Sequence, residues 1–431
     1  MKMPPLEPLN KTITMKMQYD RSRVDVKCPM CDKTDWEVRD DIRPPILDSH
    51  LVICKTCGFI SYNPQLRYIE SHYRNELIPQ SISMLQTKNN KIKKHRKLLF
   101  NYLDKNKVKI KRVLDYGGSD GYLGVELKKE YPDLEYVNVE PNRGHRKWSK
   151  LINGFENSYE SINKVDGKFD LIIMYHCLEH LQEPDNAIRK VREMLNDKGL
   201  IYIAVPTITR CDYGALDQIM KDEHINLFTD DTLKYFLNKN GLEEVFEDNR
   251  IYGTCLILKK NDEFHELIDR SYYKENLELL MSLRKCFVLK DQMDNHMKSG
   301  RVIEAKQCAI SALKAYDKYP ELISKYASLH DGIDEQDILE DYLSKYPQFI
   351  DLKIQLASCY YKDKELGKAR KLFEEHMEAA GESPVALQHL SYISYYEKDV
   401  AKALEYAKRL VERDPYNLAS IEYLGYLITR M

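Results

Sequence analysis

The sequence has no long hydrophobic run and almost no net charge. No stretch approaches the roughly 18 apolar residues that a membrane-spanning helix needs. The N-terminus, Met1-Lys-Met-Pro-Pro-Leu-Glu-Pro, lacks the apolar core of a secretory signal. Lysine and arginine (66) nearly balance aspartate and glutamate (68), so the formal net charge is −2 and offers no electrostatic basis for binding nucleic acid. We therefore expect a cytoplasmic protein that binds neither membranes nor nucleic acid.

Cysteines are few, and most of them stand alone in the sequence. Of ten cysteines, four form two Cys-x-x-Cys pairs, Cys28-Pro-Met-Cys31 and Cys54-Lys-Thr-Cys57, and the rest are typical of reduced thiols. The two pairs together can complete a tetrahedral sulfur cage for Zn²⁺, with a hairpin between them. Because all four ligands come from the protein, the zinc would be structural. The alternatives are four ordinary thiols or a redox pair, and a redox pair would need a surrounding βαβ unit.

Length and composition predict several folded units. The chain has 431 residues, 43% of them hydrophobic and 31% charged, as in globular proteins, and this length predicts roughly three domains. The expected segments are a flexible arm (1–25), a zinc-binding domain (26–65), a helical lid or linker (66–105), an α/β domain (106–260), a helical connector (261–295) and helical repeats (296–431).

Strand-like apolar runs alternate with amphipathic helices between residues 110 and 260. The runs are Lys111–Tyr116, Tyr136–Glu140, Phe169–Tyr175, Gly199–Val205 and Tyr252–Leu258. Their spacing requires crossover connections, which place strands side by side in parallel. The pattern predicts an α/β, Rossmann-like core, with a mostly parallel sheet and helices on both of its faces.

The first of these strands leads into a glycine-rich turn, Asp115-Tyr-Gly117-Gly-Ser-Asp-Gly121. Since glycine has no Cβ, the backbone of such a turn can approach a ligand closely. Glu140 ends the next strand, where a carboxylate can accept hydrogen bonds from both hydroxyls of a ribose. The turn has neither the full G-x-G-x-x-G spacing nor a Walker-type lysine. We therefore expect a nucleoside without phosphates, held by backbone amides beside Gly117 and by Glu140.

Taken together, these features resemble the class I S-adenosylmethionine-dependent methyltransferases. The resemblance covers about residues 95 to 260, including Phe169-Asp-Leu-Ile-Ile-Met-Tyr-His-Cys-Leu-Glu-His-Leu and Leu195-Asn-Asp-Lys-Gly-Leu-Ile-Tyr-Ile-Ala-Val-Pro. It implies a methyltransferase core with S-adenosylmethionine as cofactor. The residues expected at the cofactor are Asp115, Gly117, Gly118, Gly121 and Glu140, with Glu156 near the adenine and Tyr175 as a possible cover.

A narrower resemblance is to zinc-containing sugar C-methyltransferases, which act on nucleotide-linked keto-deoxysugars. That family also begins with a four-cysteine zinc domain, and its glycine turn is similar to Gly118-Ser-Asp-Gly121. Its Asp-Glu-His sequence resembles Asp222-Glu223-His224, and its other proposed catalytic histidine corresponds to His180. Its active-site tyrosine is matched best by Tyr73, with Tyr68 as a second candidate. This chain has helical repeats where that family has a C-terminal α/β domain.

Methyl transfer requires that the acceptor be aligned, that water be excluded and that the acceptor lose a proton. Histidine suits the last task, and His180 follows a strand at the carboxyl edge of the sheet, where ligands bind in open α/β folds. Glu223 can orient His224, which would then be the general base. In the alternative interpretation, Glu179-His180 only caps a helix and Glu223-His224 only begins a surface helix.

After residue 260 the strand signals stop and helices follow in pairs. Ala305, Leu339, Ala369 and Ala403 occupy comparable places in successive pairs, and two of the three steps are 34 residues, the tetratricopeptide period. We expect three to four such repeats stacked as a short α-solenoid with a capping helix at 416–431. A solenoid of this kind binds a protein partner or a second copy of the chain.

Three functions are compatible with the sequence. The first is methylation of a small molecule, namely a nucleotide-linked sugar or a related precursor of a surface glycan, at carbon, oxygen or nitrogen. The second keeps the cofactor but methylates oxygen or nitrogen of a protein or polymer presented by the repeats. The third is a non-enzymatic scaffold, and the intact Asp115, Gly117, Gly121 and Glu140 argue against it.

Overall fold

The computed structural model describes residues 23–42, 49–66, 82–209, 220, 223–248, 253–261, 271–413 and 417–430. Three parts follow one another along these residues: a cysteine module (23–66), an α/β domain and a helical array (273–428). Among the described helices, none combines the length and the apolar character that crossing a bilayer requires.

The cysteine module is built from short antiparallel strands. They are β1 (Arg23–Val24), β2 (Trp36–Val38), β3 (His50–Cys54), β4 (Ile60–Asn63) and β5 (Gln65–Leu66). As expected, antiparallel strands β2 and β3 lie between the two cysteine pairs, and β3 also pairs with β4. Arg23 and Val24, which the sequence analysis placed in a flexible arm, pair with β5 and so belong to this module.

The α/β domain contains a mixed sheet. Its described strands, in spatial order, are β12 (Leu242–Asp248), β13 (Thr254–Lys260), β10 (Leu195–Val205), β9 (Phe169–Tyr175), β6 (Arg112–Tyr116), β7 (Glu135–Val139) and β8 (Ser158–Tyr159). Strands β6 to β10 are parallel, as expected, whereas β13 is antiparallel to both of its neighbours. Strand β12 was not anticipated, because it lies at the edge and its acidic sequence obscures the alternation of an ordinary strand.

Helices connect and flank the strands of this sheet. They are α1 (Ile82–Lys105), α2 (Tyr122–Lys128), α3 (Arg143–Leu151), α4 (Pro184–Met194) and α5 (Asp230–Lys239). The sequence analysis placed α1 in a lid or linker, but Leu99 and Leu103 on this helix are buried in the same core as Val113 of β6. Apolar burial is the main stabilising contribution to folding. The C-terminal half of α1, which carries Leu99 and Leu103, therefore belongs to the core of the α/β domain.

One strand from the α/β part of the chain joins the cysteine module. Strand β11 (Asn226–Leu227) pairs antiparallel with β4 and extends the module's sheet to the order β11-β4-β3-β2. Ser61 Oγ also donates to Ile225 O over 2.7 Å, beside this pairing. The chain immediately after His224 is therefore held by the cysteine module.

The helical array consists of antiparallel helix pairs. Its helices are α6 (Tyr273–Lys298), α7 (Val302–Ala315), α8 (Pro320–Ser328), α9 (Ile333–Lys345), α10 (Ile350–Lys362), α11 (Leu366–Ala380), α12 (Pro384–Tyr396), α13 (Val400–Arg413) and α14 (Leu418–Ile428). Ala305, Leu339, Ala369 and Ala403 are fully buried, one in each of α7, α9, α11 and α13. The C-terminal region is thus helical, and the segment expected to connect it forms α6, the first helix of the first pair.

The array shares its hydrophobic core with the cysteine module. Leu51 and Tyr62 of the module are buried in one cluster with Leu280 and Leu283 of α6. The backbone at Gly58 is so close to that of Tyr272 that a Cβ would overlap it. The two parts therefore depend on each other for burial of apolar surface.

Candidate active site

The glycine turn (117–121) lies between β6 and α2 and fits tightly against its neighbours. Gly117 and Gly121 have φ angles of +82° and +79°, which residues with a Cβ rarely adopt. A Cβ on Gly117 would lie 2.9 Å from Cys177 Sγ, and one on Gly118 would lie 2.7 Å from Asp115 Cγ. The glycines are thus required by the packing of the turn itself.

The amides of this turn are used within the fold. Gly117 N and Gly118 N donate to Val139 O over 2.7 and 3.3 Å, and Gly121 N donates to Gly118 O over 2.9 Å. The amides of Gly117 and Gly118 thus fasten the turn to β7, and that of Gly121 closes the turn on itself; the expectation that amides beside Gly117 hold a ligand stays a prediction. Sequence alone gave no sign of this pairing, which depends on the register of β6 and β7.

Glu140 ends β7 and links the turn to the start of α3. Its side chain is 7% exposed, and its two carboxylate oxygens accept hydrogen bonds from Ser119 N (3.0 Å) and Asn142 N (2.7 Å). A carboxylate can accept about four hydrogen bonds, so these two amides do not exhaust it. The residues present therefore fit a ribose diol, with the carboxylate fixed in place before any ligand arrives.

Asp115 lies behind the turn and supports it from inside. It is 2% exposed and accepts a hydrogen bond of 2.5 Å from Tyr136 Oη. Burial, with Asp115 beside it, raises the pKa of Tyr136 well above its usual value, so the phenol keeps its proton and donates. Asn138 completes this support by donating to Ser119 O over 3.0 Å. Sequence analysis missed Asn138, although a polar residue inside an apolar strand was a signal for it.

Glu160 lies level with Glu140 where the neighbouring strands β7 and β8 end. In the register of β7 and β8, Asn138 is opposite Ser158 and Val139 is opposite Tyr159. Glu160 therefore follows β8 as Glu140 follows β7, whereas the predicted Glu156 precedes β8 and is exposed. Glu160 pairs with Lys164 over 2.7 Å and lies 3.8 Å from Arg146. Glu160 is therefore a further candidate on the adenine side, and the role of Glu156 stays a prediction.

Tyr175 ends β9, and its ring lies against α1. Its ring centroid is 4.5 Å from that of His95 and 4.5 Å from that of His176. Burial raises the pKa of Tyr175, so the phenol stays neutral. The recorded contacts are therefore with protein rings, and a role in covering the cofactor stays a prediction.

A buried carboxylate, Glu179, lies in the loop after β9, between histidines. It is fully buried, with His176 Nδ1 and His180 Nε2 at 3.4 and 3.6 Å from its Oε1. Burial raises the pKa of Glu179, but the electrostatic influence of His180, His176 and His224 outweighs it and holds this pKa at about 2. The sequence analysis gave Glu179 only a capping role, since its burial depends on the tertiary fold.

The structure brings His180 and His224, hereafter the histidine pair, together. Their ring centroids are 4.8 Å apart, and His180 Nδ1 lies 2.8 Å from Glu223 O. Asn226 ties the two segments by donating from Nδ2 to Leu178 O (3.2 Å) and to Leu181 O (2.6 Å). The sequence provided no signal for this role of Asn226.

Glu223 and Tyr73 were also predicted to be catalytic. Glu223 contributes its backbone carbonyl to His180, and the carboxylate beside both imidazoles belongs to Glu179. Tyr73 lies outside the described residues, as does the other candidate, Tyr68.

The glycine turn and the histidine pair belong to one site. Cys177 abuts Gly117 and directly precedes the Leu178–His180 turn. Strands β6 and β9 are parallel neighbours, so the loops that follow them meet at the same edge of the sheet. A nucleoside at Glu140 and an acceptor at the histidine pair would therefore be adjacent.

The four cysteines converge within the cysteine module. Their Sγ atoms all lie within 4.8 Å of one another, with Cys28 and Cys57 at 3.4 Å and Cys31 and Cys54 at 3.5 Å. Tetrahedral zinc with Zn–S bonds of about 2.3 Å separates its sulfur atoms by roughly 3.8 Å. The donor set and spacing therefore fit a Zn²⁺ ion.

Comparisons with known proteins add a family to this geometry. Residues 72–246 match the family model described as a methyltransferase domain. No curated protein matches the sequence. Similar solved structures include an S-adenosylmethionine-dependent methyltransferase from Clostridium acetobutylicum ATCC 824 (11% identity, 39% of this chain and 92% of that chain, TM-score 0.33). Others are MamA 41-end from Desulfovibrio magneticus RS-1 (17%, 34% and 85%, 0.31) and an O-methyltransferase family protein from Burkholderia thailandensis (17%, 36% and 51%, 0.31).

Structural similarities at these TM-scores carry no functional argument, so the family match and the site geometry decide the assignment. The matched residues include the glycine turn, Glu140 and the histidine pair. A buried carboxylate fixed beside a tight glycine turn also fits the ribose of a nucleoside cofactor. The chain is therefore an enzyme with a methyltransferase domain that depends on S-adenosylmethionine.

Proposed function

We propose that this cytoplasmic enzyme methylates a nucleotide-linked sugar or a related precursor of a surface glycan. The observation that carries the proposal is the pairing of β4 with β11, by which the cysteine module holds the segment after His224. The narrower family resemblance combines a four-cysteine domain with catalytic histidines at the positions of His180 and His224. The pairing gives that combination a physical reason, because the module positions one of the two histidines.

In this proposal the four cysteines bind a structural Zn²⁺ ion. Tyr272 N donates to Cys57 O over 2.9 Å, and Asn276 Nδ2 donates to Gly58 O over 2.9 Å, so the second knuckle is fixed to the start of α6. A cation there would hold both knuckles, and hence β3 and β4, in one arrangement. The zinc would thus act on the active site through β11, and the knuckles also share a buried core with Phe228 and Phe236 of the α/β domain.

The chain's own residues divide the work of methyl transfer. S-adenosylmethionine, when bound, supplies a methyl group on a sulfonium that is transferred by in-line displacement. Glu140 would bind the ribose and fix its position. The histidine pair would face the acceptor and act on its proton, with His224 as the general base expected from the sequence. Tyr73 and the side chain of Glu223 are further candidates on the acceptor side.

The second candidate function is O- or N-methylation of a protein or polymer presented by the helical array. The antiparallel helix pairs favour it, because such arrays bind polypeptides. In either case we propose that the array, with tetratricopeptide-like repeats, binds a protein partner or a second copy of the chain. The sharing of one core by α6 and the cysteine module also gives the array a structural role. A scaffold without activity is disfavoured by the enzyme assignment.

Calorimetry with S-adenosylmethionine on the full chain tests the cofactor site first. We expect binding to the wild type and weaker binding to Glu140→Gln, with Glu156→Gln as the matched control because Glu156 is exposed. Methyl transfer is then measured on nucleotide-linked keto-deoxysugars, on nucleotide-linked sugars without a keto group, and on polypeptides. Transfer to polypeptides and to neither sugar class would replace the proposal by the second candidate.

A further inference from the structure

The cluster around Glu179 contains a charge that the fold leaves poorly satisfied. Glu179 is fully buried, and among the described residues neither of its carboxylate oxygens receives a hydrogen bond. A buried ionised carboxylate is costly unless a positive charge and hydrogen bonds compensate it. The nearest polar groups are imidazoles, with His176 Nδ1 at 3.4 Å, and a cation bound among them would compensate the carboxylate.

The orientation of His180 favours a cation. Its Nδ1 lies 2.8 Å from the carbonyl oxygen of Glu223, which can only accept, so Nδ1 carries the ring hydrogen. Nε2 is then the ring nitrogen that faces Glu179 Oε1, at 3.6 Å, which is too long for a good hydrogen bond. A backbone carbonyl that fixes the tautomer is also the usual support of a metal-binding histidine.

The donor atoms are spaced slightly more widely than the ligands of a bound metal ion. One carboxylate oxygen of Glu179 and one ring nitrogen each of His180 and His224 lie within 4.8 Å of one another. Ligands at about 2.1 Å from a common metal ion are roughly 3.0 to 3.4 Å apart. His180 and Glu179 are already near that separation, and a small movement of the ligands would close the site.

We propose that Glu179, His180 and His224 bind a divalent transition-metal cation, distinct from the zinc of the four cysteines. Two imidazoles and one carboxylate suit Zn²⁺, Mn²⁺ or Fe²⁺, and three protein ligands leave coordination positions open. His176, at 3.4 Å from the same carboxylate, would hold it in position. The assignment of an acceptor to this site rests on the proposed function.

The open positions would take an oxygen atom of the acceptor. A divalent cation lowers the pKa of a coordinated hydroxyl, so the O–H bond can break with the proton passing to water. The new O–CH₃ bond then forms as the S–CH₃ bond of the donor breaks and leaves a neutral thioether. In this form His224 binds the cation in place of the general-base role that the proposed function gives it, and water takes the proton. The site therefore favours an acceptor that offers oxygen.

Metal content of the untagged full chain tests this inference. After treatment with a weak chelator and dialysis against Co²⁺ or Zn²⁺, we expect two metal ions per wild-type chain and one in Glu179→Gln. His224→Asn, a partly exposed position, is the second variant in case the buried substitution impairs folding. His330→Asn is the matched control, because His330 contacts Tyr326 O in the helical array and should keep two ions.

Cobalt titration of the zinc-loaded chain gives an independent readout. We expect Co²⁺ binding at least about 10²-fold weaker in Glu179→Gln and in His224→Asn than in the wild type. One metal ion per wild-type chain, or the same isotherm in all variants, would overturn the site. If the metal is absent while S-adenosylmethionine still binds and methyl transfer persists, only this inference fails. If the metal binds but S-adenosylmethionine does not, the proposed function fails and the metal site stands.

Discussion

The glycine turn offers the sharpest test of the site, through the substitution Gly118→Ala. A Cβ at this position would overlap Asn138 Oδ1 and would lie 2.7 and 2.8 Å from Cγ and Oδ2 of Asp115. Asn138 and Asp115 are 0% and 2% exposed, so neither side chain has room to yield. The substitution therefore places one methyl group where the fold has no space for it.

The expected cost follows from these contacts. Overpacking of a tight interior costs about 1–3 kcal/mol, and displacement of Asn138 would also break its hydrogen bond to Ser119 O, worth about 1 kcal/mol. We expect the free energy of unfolding to fall by about 2–4 kcal/mol. Because Ser119 N also holds Glu140, S-adenosylmethionine should bind at least about tenfold more weakly, a loss of about 1.4 kcal/mol.

Urea denaturation and calorimetry with S-adenosylmethionine measure the two effects. The control is Gly367→Ala in α11, where a Cβ would meet no atom within 4 Å. That change should leave cofactor affinity untouched and stabilise the helix by up to about 1 kcal/mol. If Gly118→Ala matched the wild type in both assays, the turn would not be packed as described, and the reasoning about the cofactor site would be refuted.

Three further predictions concern the supports of the site. Glu140→Gln should weaken S-adenosylmethionine binding by about 10²-fold in calorimetry, since an amide cannot accept from both Ser119 and Asn142; unchanged affinity would contradict this. Asn226→Ala removes the hydrogen bonds from Asn226 Nδ2 to Leu181 O and to Leu178 O, of which Leu178 O keeps a bond from Leu181 N, so it should destabilise the fold by about 1–3 kcal/mol and lower kcat with cofactor affinity unchanged. Cys31→Ser should remove the thiol-bound metal in elemental analysis and reduce hydrogen-exchange protection of Leu227; full protection without that metal would argue against the coupling through β11.

The pairing of β4 with β11 links the cysteine module to the loop of His180 and, through that loop, to the glycine turn. The cysteine module fixes β11, Asn226 on β11 fixes the loop that carries His180, and Cys177 in that loop abuts Gly117. A disturbance of the cysteine knuckles should therefore reach the histidine pair before it reaches the glycine turn. Loss of turnover with retained cofactor binding is the expected signature of damage to the module.

Sequence by itself determined the elements whose signals are local. Periodicity identified strands β6, β7, β9 and β10, because buried parallel strands are continuous apolar runs. Spacing grouped the four cysteines, and the order of strand, glycine turn and acidic strand end identified the cofactor edge. These features are written in neighbouring residues, so no knowledge of distant contacts was needed.

Only the tertiary structure decided which distant groups meet. Burial made part of α1, which the sequence predicted as a lid or linker, a helix of the core, and strand register placed Glu160 level with Glu140. Folding also placed the buried Glu179 between histidines that lie far apart in the chain, a charge whose meaning depends on its surroundings. The free energy of a buried carboxylate depends on the groups that surround it in space. The sequence could therefore identify the histidines as candidates but not the buried Glu179 beside them.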